Sequence, residues 1–562
     1  MNPHYDIPNL TLTDEYLTDP VLLALAWKRA HGYVRSLNWY ADNFELDASS
    51  LFLQENCKAW ADELSGKEVN LKPLELVPAP KTTQWEFIKP SDEELAGNEQ
   101  CLVWQPVAQE ALSLRPLAHI GIKEQTYFTL LMSCLANTVE TKQGDPSAPL
   151  NEVHVKRIVN YGNRLYCFYS EDGKAEHNYG ATTLYSKYFV DYRNFLKRPY
   201  YFAHLHSTEK LPDEDVYIVE LDLKQFFDKV CRKKLVRKIK GLIEEQAPKL
   251  TEAEFEKSAV AQLLSKFDNW QWSDQAKNIY NICPKKENNK DEAPLGIPQG
   301  LVAGGFLANI YLLNIDEALA ALLNKQYEAD IKIKTVHSDE IKSIQQQLKK
   351  SNIKVNDYCR YVDDIRLVIT APKLTKEFTL GCLTKKISSL ASVFLKSKQL
   401  GLKINKNKTK VIPYRGKSEG ISSQTDNLQE RLSGPQSPEK IDNLINELET
   451  LLVLTGSENS TQDGNSCKIN KLADIERSAL DVREDTLRRF AANKLSSVLK
   501  QKRHFTSRDV DGQGNPIAGD WDYMQERIAR RLIAAWSKDP ALVLLLKKGL
   551  ELFPSPKVLE PV

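Results

Sequence analysis

The sequence has little of what marks a membrane protein, a secreted protein or a small zinc domain. No stretch of its 562 residues approaches the roughly 18 consecutive apolar residues of a membrane-spanning helix. The first residues, Met1 to Asp6, lack the positive start, apolar run and small-residue cleavage site of a secretory signal. The nine cysteines include no Cys-x-x-Cys pair and no neighbouring histidine cluster, which favours reduced thiols. We therefore expect a cytoplasmic protein with no membrane segment.

The chain also lacks an excess of charge of either sign, because its formal net charge is +1 at pH 7. This excludes a protein that is basic over its whole surface, although a nucleic-acid enzyme needs only a local basic track to contact phosphates. A length of 562 residues predicts two to four domains at roughly 100 to 200 residues each. Local patterns must therefore indicate the function.

Two strand-like segments deliver carboxylates. The β-branched run from Val216 to Leu221 ends on Asp222, and two strand-like runs flank Asp363 and Asp364, which fall at the predicted hairpin turn. An isolated Asp-Asp pair is usually only a hairpin corner. Here both flanking strands are apolar, and two ionised neighbours in a buried setting are costly unless a cation neutralises them. Oxygen-only ligands indicate magnesium, and two such ions about 3.5 to 4 Å apart serve phosphoryl transfer.

The residues around these carboxylates resemble the ordered motifs of reverse transcriptases. Asp222-x-x-x-Phe226-Phe227-Asp228 looks like motif A of that family, and Tyr361-Val362-Asp363-Asp364 looks like motif C. Between them, Gly296-Ile297-Pro298-Gln299-Gly300 resembles motif B. The resemblance to motif D lies in residues 401–405 and in Lys408-Thr409-Lys410. With Arg115-Pro116-Leu117 and the segment 122–140, which look like the fingers opening of bacterial members, the resemblance covers about residues 114–414.

The resemblance implies an α+β right-hand polymerase with fingers and a ferredoxin-like palm, plus an all-α C-terminal domain. Its expected boundaries are an N-terminal extension at residues 1–110, fingers at 111–215, a palm at 216–416, and a thumb-like or helical-repeat domain at 417–562. The helical period after residue 416 favours helices in that last segment on its own evidence. Strand-forming residues around Tyr161-Gly162-Asn163 also predict a β-hairpin within 153–169.

The resemblance further implies roles for individual residues. Asp222, Asp363 and Asp364 would be catalytic and would hold two Mg²⁺ ions, and Lys408 would protonate or neutralise the pyrophosphate leaving group. The alternative interpretation is that Lys408 is a surface lysine with no role at the leaving group. Phe227 would stack under the sugar and exclude a 2′-hydroxyl, which implies dNTP substrates.

The implied substrate contacts form a larger set. They comprise Leu223, Phe227, Gln299, Gly300 and Arg164. We expect Gly300, Gly304 and Gly305 to let the backbone approach a base pair closely. The alternative for Phe227 is a core aromatic, and we expect its neighbour Phe226 to be one, since adjacent side chains point to different sides.

Seven positive charges follow motif A within twelve residues. One interpretation is a solvated helix face, and the other is a phosphate-binding track beside the active site. Under the second interpretation the nucleic-acid contacts are Lys233, Lys234, Arg237 and Lys238.

Departures from the common motifs narrow the resemblance. Gly304-Gly305 stands where group II intron and retroelement enzymes usually have Ser-Pro, and no clear Phe-Leu-Gly primer grip follows motif D. Together with Tyr161-Gly162-Asn163 and the helical tail, these features resemble the abortive-infection and "unknown group" reverse transcriptases that bacteria use against phages. This implies an RNA-directed DNA polymerase that copies a noncoding RNA template into a DNA product. Further partners would be a second defence protein or a second copy of the chain in a homo-oligomer.

Three alternatives stay open at this point. The chain could be a template-independent or protein-primed DNA polymerase of the same class. It could also be a group II intron-type or retron polymerase of a mobile element. The third alternative is a catalytically silent RNA-binding scaffold, against which three converging carboxylates argue.

Overall fold

The computed structural model divides into two compact units. Unit 1 comprises residues 1–79 and 114–418, and unit 2 comprises residues 80–113 and 419–562. The residues that the structure describes are 10–37, 42–66, 68–80, 85–88, 103–106, 114–181, 183–186, 188–283, 293–323, 346, 348–397, 400–406, 408–414, 443–449, 452, 484–502, 513, 520–538 and 542–560.

Four helices open unit 1. They are α1 (Asp14–Leu17), α2 (Pro20–Leu37), α3 (Asn43–Leu51) and α4 (Leu53–Ser65). On α2, Leu23, Trp27 and Ala30 are buried at helical spacing and belong to the same apolar core as the later motifs. The prediction of one N-terminal extension at 1–110 is therefore corrected: residues 1–79 are part of unit 1, and 80–113 group with unit 2.

The segment from β1 to α6 continues unit 1. Its elements are β1 (Glu75–Pro80), β4 (Leu114–His119), α5 (Ile122–Gln143), β5 (Cys167–Tyr169), β6 (Ala175–His177) and α6 (Tyr188–Glu209), while β2 (Trp85–Ile88) and β3 (Val103–Pro106) belong to unit 2. Helix α5 is buried along most of its length, which accounts for its apolar sequence. Strand β1 pairs with β4, and β5 pairs with β6.

A buried arginine ties α2 to this segment. Arg29 is 1% exposed, and its Nη2 donates to the carbonyl oxygen of Asn178 at 2.7 Å. Its Nη1 lies 3.0 Å from Nε2 of His177. Burial lowers the pKa of His177 to about 3 and that of Arg29 to about 10, so the imidazole is neutral and accepts from the guanidinium.

Unit 1 is centred on a four-stranded antiparallel sheet. Its strands are β7 (Glu214–Asp222), β8 (Lys354–Tyr361), β9 (Asp364–Pro372) and β10 (Lys410–Pro413), in the order β10-β7-β9-β8. Numbered along the chain this is order 4-1-3-2, with helices between the first and second strands and between the third and fourth. That is the β-α-β-β-α-β arrangement of a ferredoxin-like unit.

The crossover helices complete unit 1. They are α7 (Phe226–Lys229), α8 (Arg232–Gln246), α9 (Glu252–Glu256), α10 (Ala259–Asp268), α11 (Asp274–Ile282), α12 (Gly304–Leu323) and α13 (Leu380–Ser397). Helix α12 is apolar on most sides, and Phe306, Ile310 and Tyr311 are fully buried. A helix that is apolar on most sides is expected in a protein interior, and α12 lies in the apolar core of unit 1.

The β-hairpin predicted within 153–169 is wrong. Residues 159–161 instead run parallel to β8: the amide of Arg360 donates to Val159 O at 2.8 Å, and that of Tyr161 donates to Arg360 O at 2.9 Å. Only Cys167–Tyr169 pairs as a hairpin strand, with β6. The segment makes a single parallel bridge, from Asn160 to Arg360 about two hundred residues away in the chain, and residues 151–157 form turns instead of a strand.

Unit 2 contains the β2–β3 pair and C-terminal helices. The helices are 443–449, α14 (Glu484–Lys502), α15 (Asp520–Lys538), α16 (Val543–Leu552) and the 3₁₀ helix Pro556–Leu559. Leu448, Leu495 and Leu532 are fully buried in its core. The described part of 417–562 is thus helical, much of 417–483 lies outside the described residues, and the unit also includes a strand pair. Across the described ranges, no helix is long and apolar enough to cross a membrane.

Candidate active site

The sheet register brings two of the predicted carboxylates together. Asp222, the last residue of β7, is the direct partner of Asp364, the first residue of β9. Tyr361 pairs with Asp364 across the β8–β9 hairpin, so Val362 and Asp363 form a two-residue turn. Val362 has a φ of +58°, a left-handed conformation that costs a β-branched residue about 1–2 kcal/mol.

A buried polar network holds this turn. The Arg360 guanidinium donates to both carboxylate oxygens of Asp316, at 2.8 and 2.7 Å, and to Oδ1 of Asn309 at 3.1 Å. The same side chain donates to Val362 O at 3.3 Å, while Nδ2 of Asn309 donates to Gly162 O at 2.9 Å. Bidentate, charge-assisted bonds of this kind fix geometry, and here they offset the strain at Val362.

Gly162 is required where the 159–161 segment meets the turn. A Cβ atom at this position would lie 2.4 Å from the backbone nitrogen of Val362. The Tyr161-Gly162-Asn163 segment therefore supports the catalytic turn from the side, a role that its sequence did not indicate.

The motif D segment packs onto Asp222. The amide of Asn405 donates to Asp222 O at 2.8 Å, and Nδ2 of Asn405 donates to Oδ2 of the carboxylate at 2.9 Å. Nζ of Lys408 lies 3.4 Å from the same oxygen, and its side chain is 67% exposed. Lys408 is thus placed beside the carboxylates, with its outer part open to solvent.

The carboxylates of the turn carry an unfavourable charge arrangement. Burial, together with the charges of Asp364 and Asp222, raises the pKa of Asp363 to about 6. Burial and Asp222 also raise the pKa of Asp364. Repelling, oxygen-only donors are the kind that Mg²⁺ binds, so the donor set fits this ion in its chemistry. Among the described residues no three acidic, histidine or cysteine side chains converge on one point, and Asp222 is bonded to Asn405 and Lys408 instead.

Motif B packs against the loop after Asp222. The amide of Ile297 donates to Phe227 O at 2.9 Å, and Nε2 of Gln299 donates to Oδ1 of Asp228 at 2.9 Å. A Cβ atom at Gly296 would lie 1.9 Å from Phe227 O, so only glycine allows this approach. The contact fixes the orientation of the Gln299 amide next to Phe227.

The two phenylalanines of motif A differ in burial. Phe226 is 2% exposed and belongs to the core, as predicted. Phe227 is only partly buried, and the two rings meet edge to face with centroids 5.3 Å apart. The exposed part of Phe227 is therefore available to a ligand, and its assignment to the sugar stays a prediction.

Two glycines of motif B lie against other segments of the protein. Gly300 has a φ of +133°, and a Cβ there would lie 2.2 Å from Ala118 O. A Cβ at Gly305 would lie 2.3 Å from Nδ2 of Asn163. Ala118 and Asn163 thus occupy the space on the Cβ side of these two glycines, and the approach of a base pair to their backbone stays a prediction. For Gly304 the nearest atom is in a side chain of the same loop, 3.3 Å away.

Strand β4 packs against motif B. Leu117 bridges to Gln299, and the amide of Ala118 donates to Gln299 O at 2.7 Å. Arg115 is exposed on the same short strand. In the sequence, Arg115-Pro116-Leu117 indicates only the start of the fingers and no role at the site.

Arg164 has a structural place. It is 1% exposed, Nε donates to Oε2 of Glu140 at 2.7 Å, and Nη1 donates to Asn160 O at 2.8 Å. Nη2 donates to the carbonyl oxygen of Gly144 and to the hydroxyl of Tyr169. These bonds use four of its five N–H donors, which argues against the predicted contact with substrate. Leu223 is likewise buried, at 2%, so only its backbone could meet a ligand.

The basic track divides into buried and exposed members. Arg232 is buried, with Nε donating to Gly296 O at 2.7 Å. Nζ of Lys238 donates to Tyr311 O at 2.8 Å. Lys233 and Arg237 are exposed, while Lys234 is half-buried. Some residues of the track therefore have structural roles, and contact with nucleic-acid phosphates stays a prediction for the exposed ones.

Paired carboxylates on adjacent strands are the kind of donors that enzymes of two-metal nucleotidyl transfer use. The narrower assignment comes from the family whose description is "Reverse transcriptase (RNA-dependent DNA polymerase)", which matches residues 180–429, somewhat less than half of the chain. This segment includes Asp222, both aspartates of the turn, Gln299 and Lys408. The chain carries a reverse transcriptase domain and is an RNA-directed DNA polymerase. Domains of this family generally depend on divalent metal ions.

Other comparisons add little. No curated protein matches the sequence. Among solved structures, telomerase from Candida albicans with a TWJ fragment of telomeric RNA is 11% identical, with a TM-score of 0.27 over 90% of this chain and 67% of that one. Apo telomerase from Candida tropicalis is 11% identical, with a TM-score of 0.29 over 90% and 72%. Likeness at this level carries no argument about the present chain.

Proposed function

We propose that the chain polymerises dNTPs on an RNA template by two-metal nucleotidyl transfer, with Asp222, Asp363 and Asp364 as the metal ligands. The observation that carries the proposal is the register of Asp222 opposite Asp364, next to a turn that presents Asp363. The raised pKa values of the two turn aspartates support it, because a cation would relieve the repulsion that raises them.

Two Mg²⁺ ions bound by these carboxylates would lower the pKa of the primer hydroxyl and stabilise charge on the leaving pyrophosphate. The chain's own residues position the substrates. Lys408 reaches Asp222 from the solvent side, so its ammonium group can meet a phosphate oxygen and donate a proton or neutralise charge there. Arg115 offers a second cation on β4, the strand whose Leu117 bridges to Gln299.

The sugar and base would be held by Phe227 and Gln299. The exposed part of the Phe227 ring excludes a 2′-hydroxyl, and the hydrogen bond to Asp228 keeps the Gln299 amide in one orientation before the substrate arrives. In this scheme the helices and hairpin before residue 216 act as fingers and the β7–β10 sheet as the palm. The C-terminal helices would act as a thumb-like domain.

The test is nucleotide incorporation by the protein purified with its bound RNA, in Mg²⁺ with either dNTPs or NTPs. We expect a DNA polymer whose sequence is complementary to the RNA. The chain with Asp363→Ala and Asp364→Ala should make none, while Arg35→Met, in an exposed ion pair with Asp47, should be fully active. Absence of product with every RNA and primer would support the scaffold alternative, and product unrelated to the RNA would support template-independent synthesis.

For the biological setting we propose antiphage defence with a noncoding RNA template, which rests on the resemblance in the motifs. The test is plaque formation on bacteria that express the chain with its neighbouring genes. Protection that is lost with Asp363→Ala and Asp364→Ala would support defence by synthesis. Protection that survives these substitutions would support a role in defence but contradict defence by DNA synthesis. Absence of protection against a broad phage panel would contradict the role in defence.

A further inference from the structure

A cavity of about 310 Å³ lies next to the catalytic turn, within unit 1, at the lower end of the range of ligand-binding pockets. Tyr361, two residues before Asp363, forms part of its wall. Helix α2 supplies Tyr33, the segment 183–186 supplies Tyr185, and the first turn of α6 supplies Asp191. Asp191 and the two other tyrosines have no part in the polymerase reaction described above.

Three aromatic rings give the cavity flat walls. The rings of Tyr33 and Tyr185 have centroids 5.5 Å apart, and the Tyr185 hydroxyl donates to Val302 O at 2.6 Å. The ring of Tyr361 meets Tyr192 edge to face at 5.0 Å. Rings held in this way lose little freedom when a flat ligand stacks on them, and every base has a flat face that can stack on an aromatic ring.

The charged groups of the cavity favour a hydrogen-bond donor and disfavour phosphate. Asp191 is 5% exposed and accepts a hydrogen bond from the Ser186 hydroxyl, and burial raises the pKa of its carboxyl group to about 6. The cation in the wall, Arg164, is bonded to Glu140. A buried carboxylate in this setting gains from ligand N–H groups, whereas a phosphate would be repelled.

We propose that this cavity binds a guanine base, with Asp191 accepting hydrogen bonds from the N1–H and the 2-amino group and Tyr33 stacking on the ring. Guanine is the common base that offers two adjacent donors to one carboxylate. The residues that line the cavity include neither Phe227 nor Gln299, and its occupancy does not depend on polymerisation. The base could come from a free nucleoside or from an unpaired position of an RNA strand.

The test is calorimetric titration of the full chain, without triphosphates, with guanosine, inosine and uridine. Inosine lacks only the 2-amino group, so it is the matched ligand. We expect guanosine to bind at least tenfold more tightly than inosine and uridine to give no signal. A pentanucleotide RNA with one guanine, beside the same RNA with inosine, distinguishes the sources: tighter binding of the RNA than of guanosine assigns the site to a strand.

Variants assign the binding to this cavity. Asp191→Asn should weaken guanosine at least tenfold, and Tyr33→Leu severalfold. Tyr201→Leu is the control, because Tyr201 on α6 is 38% exposed and Tyr33 is 36% exposed. If Asp191→Asn fails to fold, as judged by thermal unfolding, Tyr33→Leu and the guanosine-to-inosine ratio decide. Equal binding of guanosine and inosine, no binding of guanosine as nucleoside or RNA, or an effect of Tyr201→Leu as large as that of Tyr33→Leu would overturn the proposal.

Discussion

Arg360 and Arg29 are both buried arginines of unit 1, but they bond to different kinds of acceptor. Arg360 pairs with the Asp316 carboxylate and supports the catalytic turn. Arg29 meets carbonyl oxygens and the neutral ring of His177, and joins α2 to the residues around β6. The first cluster is electrically neutral as a whole, whereas the second keeps a net positive charge in the interior. The Arg360 network therefore shapes the site, whereas the Arg29 network joins parts of the fold.

The largest effect is expected for Arg360→Met. The substitution leaves the Asp316 carboxylate buried without its cation, which should lower the free energy of unfolding by about 3–5 kcal/mol. It also frees Val362 and Asp363, so polymerase activity should fall even at temperatures where the variant is folded. Denaturant unfolding and nucleotide incorporation measure the two effects, with Arg35→Met as the exposed control at under about 1 kcal/mol. Full activity in the folded variant would remove the positioning role.

Arg29→Met should cost less, about 1–3 kcal/mol, because the groups left behind are carbonyl oxygens and an imidazole. Activity per folded molecule should be unchanged, since Arg29 does not touch the turn. The measurement is again unfolding free energy beside incorporation at low temperature. A loss of activity larger than the loss of folded protein would show that the two clusters are not separate.

Acid should weaken the Arg29 cluster through His177, while Asp191 and Asp363, whose pKa values are raised to about 6, act in the opposite direction. The pKa of His177 is about 3 in the folded chain and about 6.5 in the unfolded chain, so below pH 6.5 the unfolded state binds more protons. The stability that His177 contributes is therefore present above pH 6.5 and decreases as the pH falls toward 3, by about 2 kcal/mol between pH 7 and pH 5. His177→Gln, which keeps an acceptor but cannot titrate, should reduce this loss in unfolding experiments at the two pH values. An unchanged pH dependence would place the titrating group elsewhere.

The smallest effect is expected for the exposed cations of α8, which belong to neither cluster. Lys233→Ala with Arg237→Ala should leave stability unchanged and weaken RNA binding. Each lost phosphate contact should reduce the slope of log K against log salt by about 0.7 to 0.9. Lys238→Ala is the matched control, because its ammonium group is bonded to Tyr311 O. Equal salt slopes in all three proteins would favour the solvated-face interpretation.

The sequence was sufficient where a residue's role depends on its own segment. Asp222 at the end of an apolar strand, the Asp363-Asp364 turn and the burial of Phe226 all follow from local pattern, and the structure has them there. Arg164 and Arg232 could not be predicted as buried, because a basic residue is taken as exposed unless its distant partners are known. The acceptors of Arg164, which lies in a loop, include Glu140 on α5.

The glycines of motif B illustrate a second limit. A position that tolerates only glycine has the same sequence signature whether a ligand or another protein segment approaches it. At Gly300 and Gly305 the approaching atoms belong to Ala118 and Asn163. The N-terminal helices were missed for a related reason, since Leu23 and Trp27 are unremarkable apolar residues until their partners in the core are known.

The parallel contact between residues 159–161 and β8 has a consequence for how the protein is made. On a ribosome, the segment that supports the turn emerges long before Arg360, Val362 and the aspartates. The Arg29 cluster needs only residues up to about 181, so it can assemble while the rest of unit 1 is still being synthesised. Each newly made chain would thus acquire its N-terminal scaffold early and its catalytic turn late, which delays competence for synthesis until the central sheet is present.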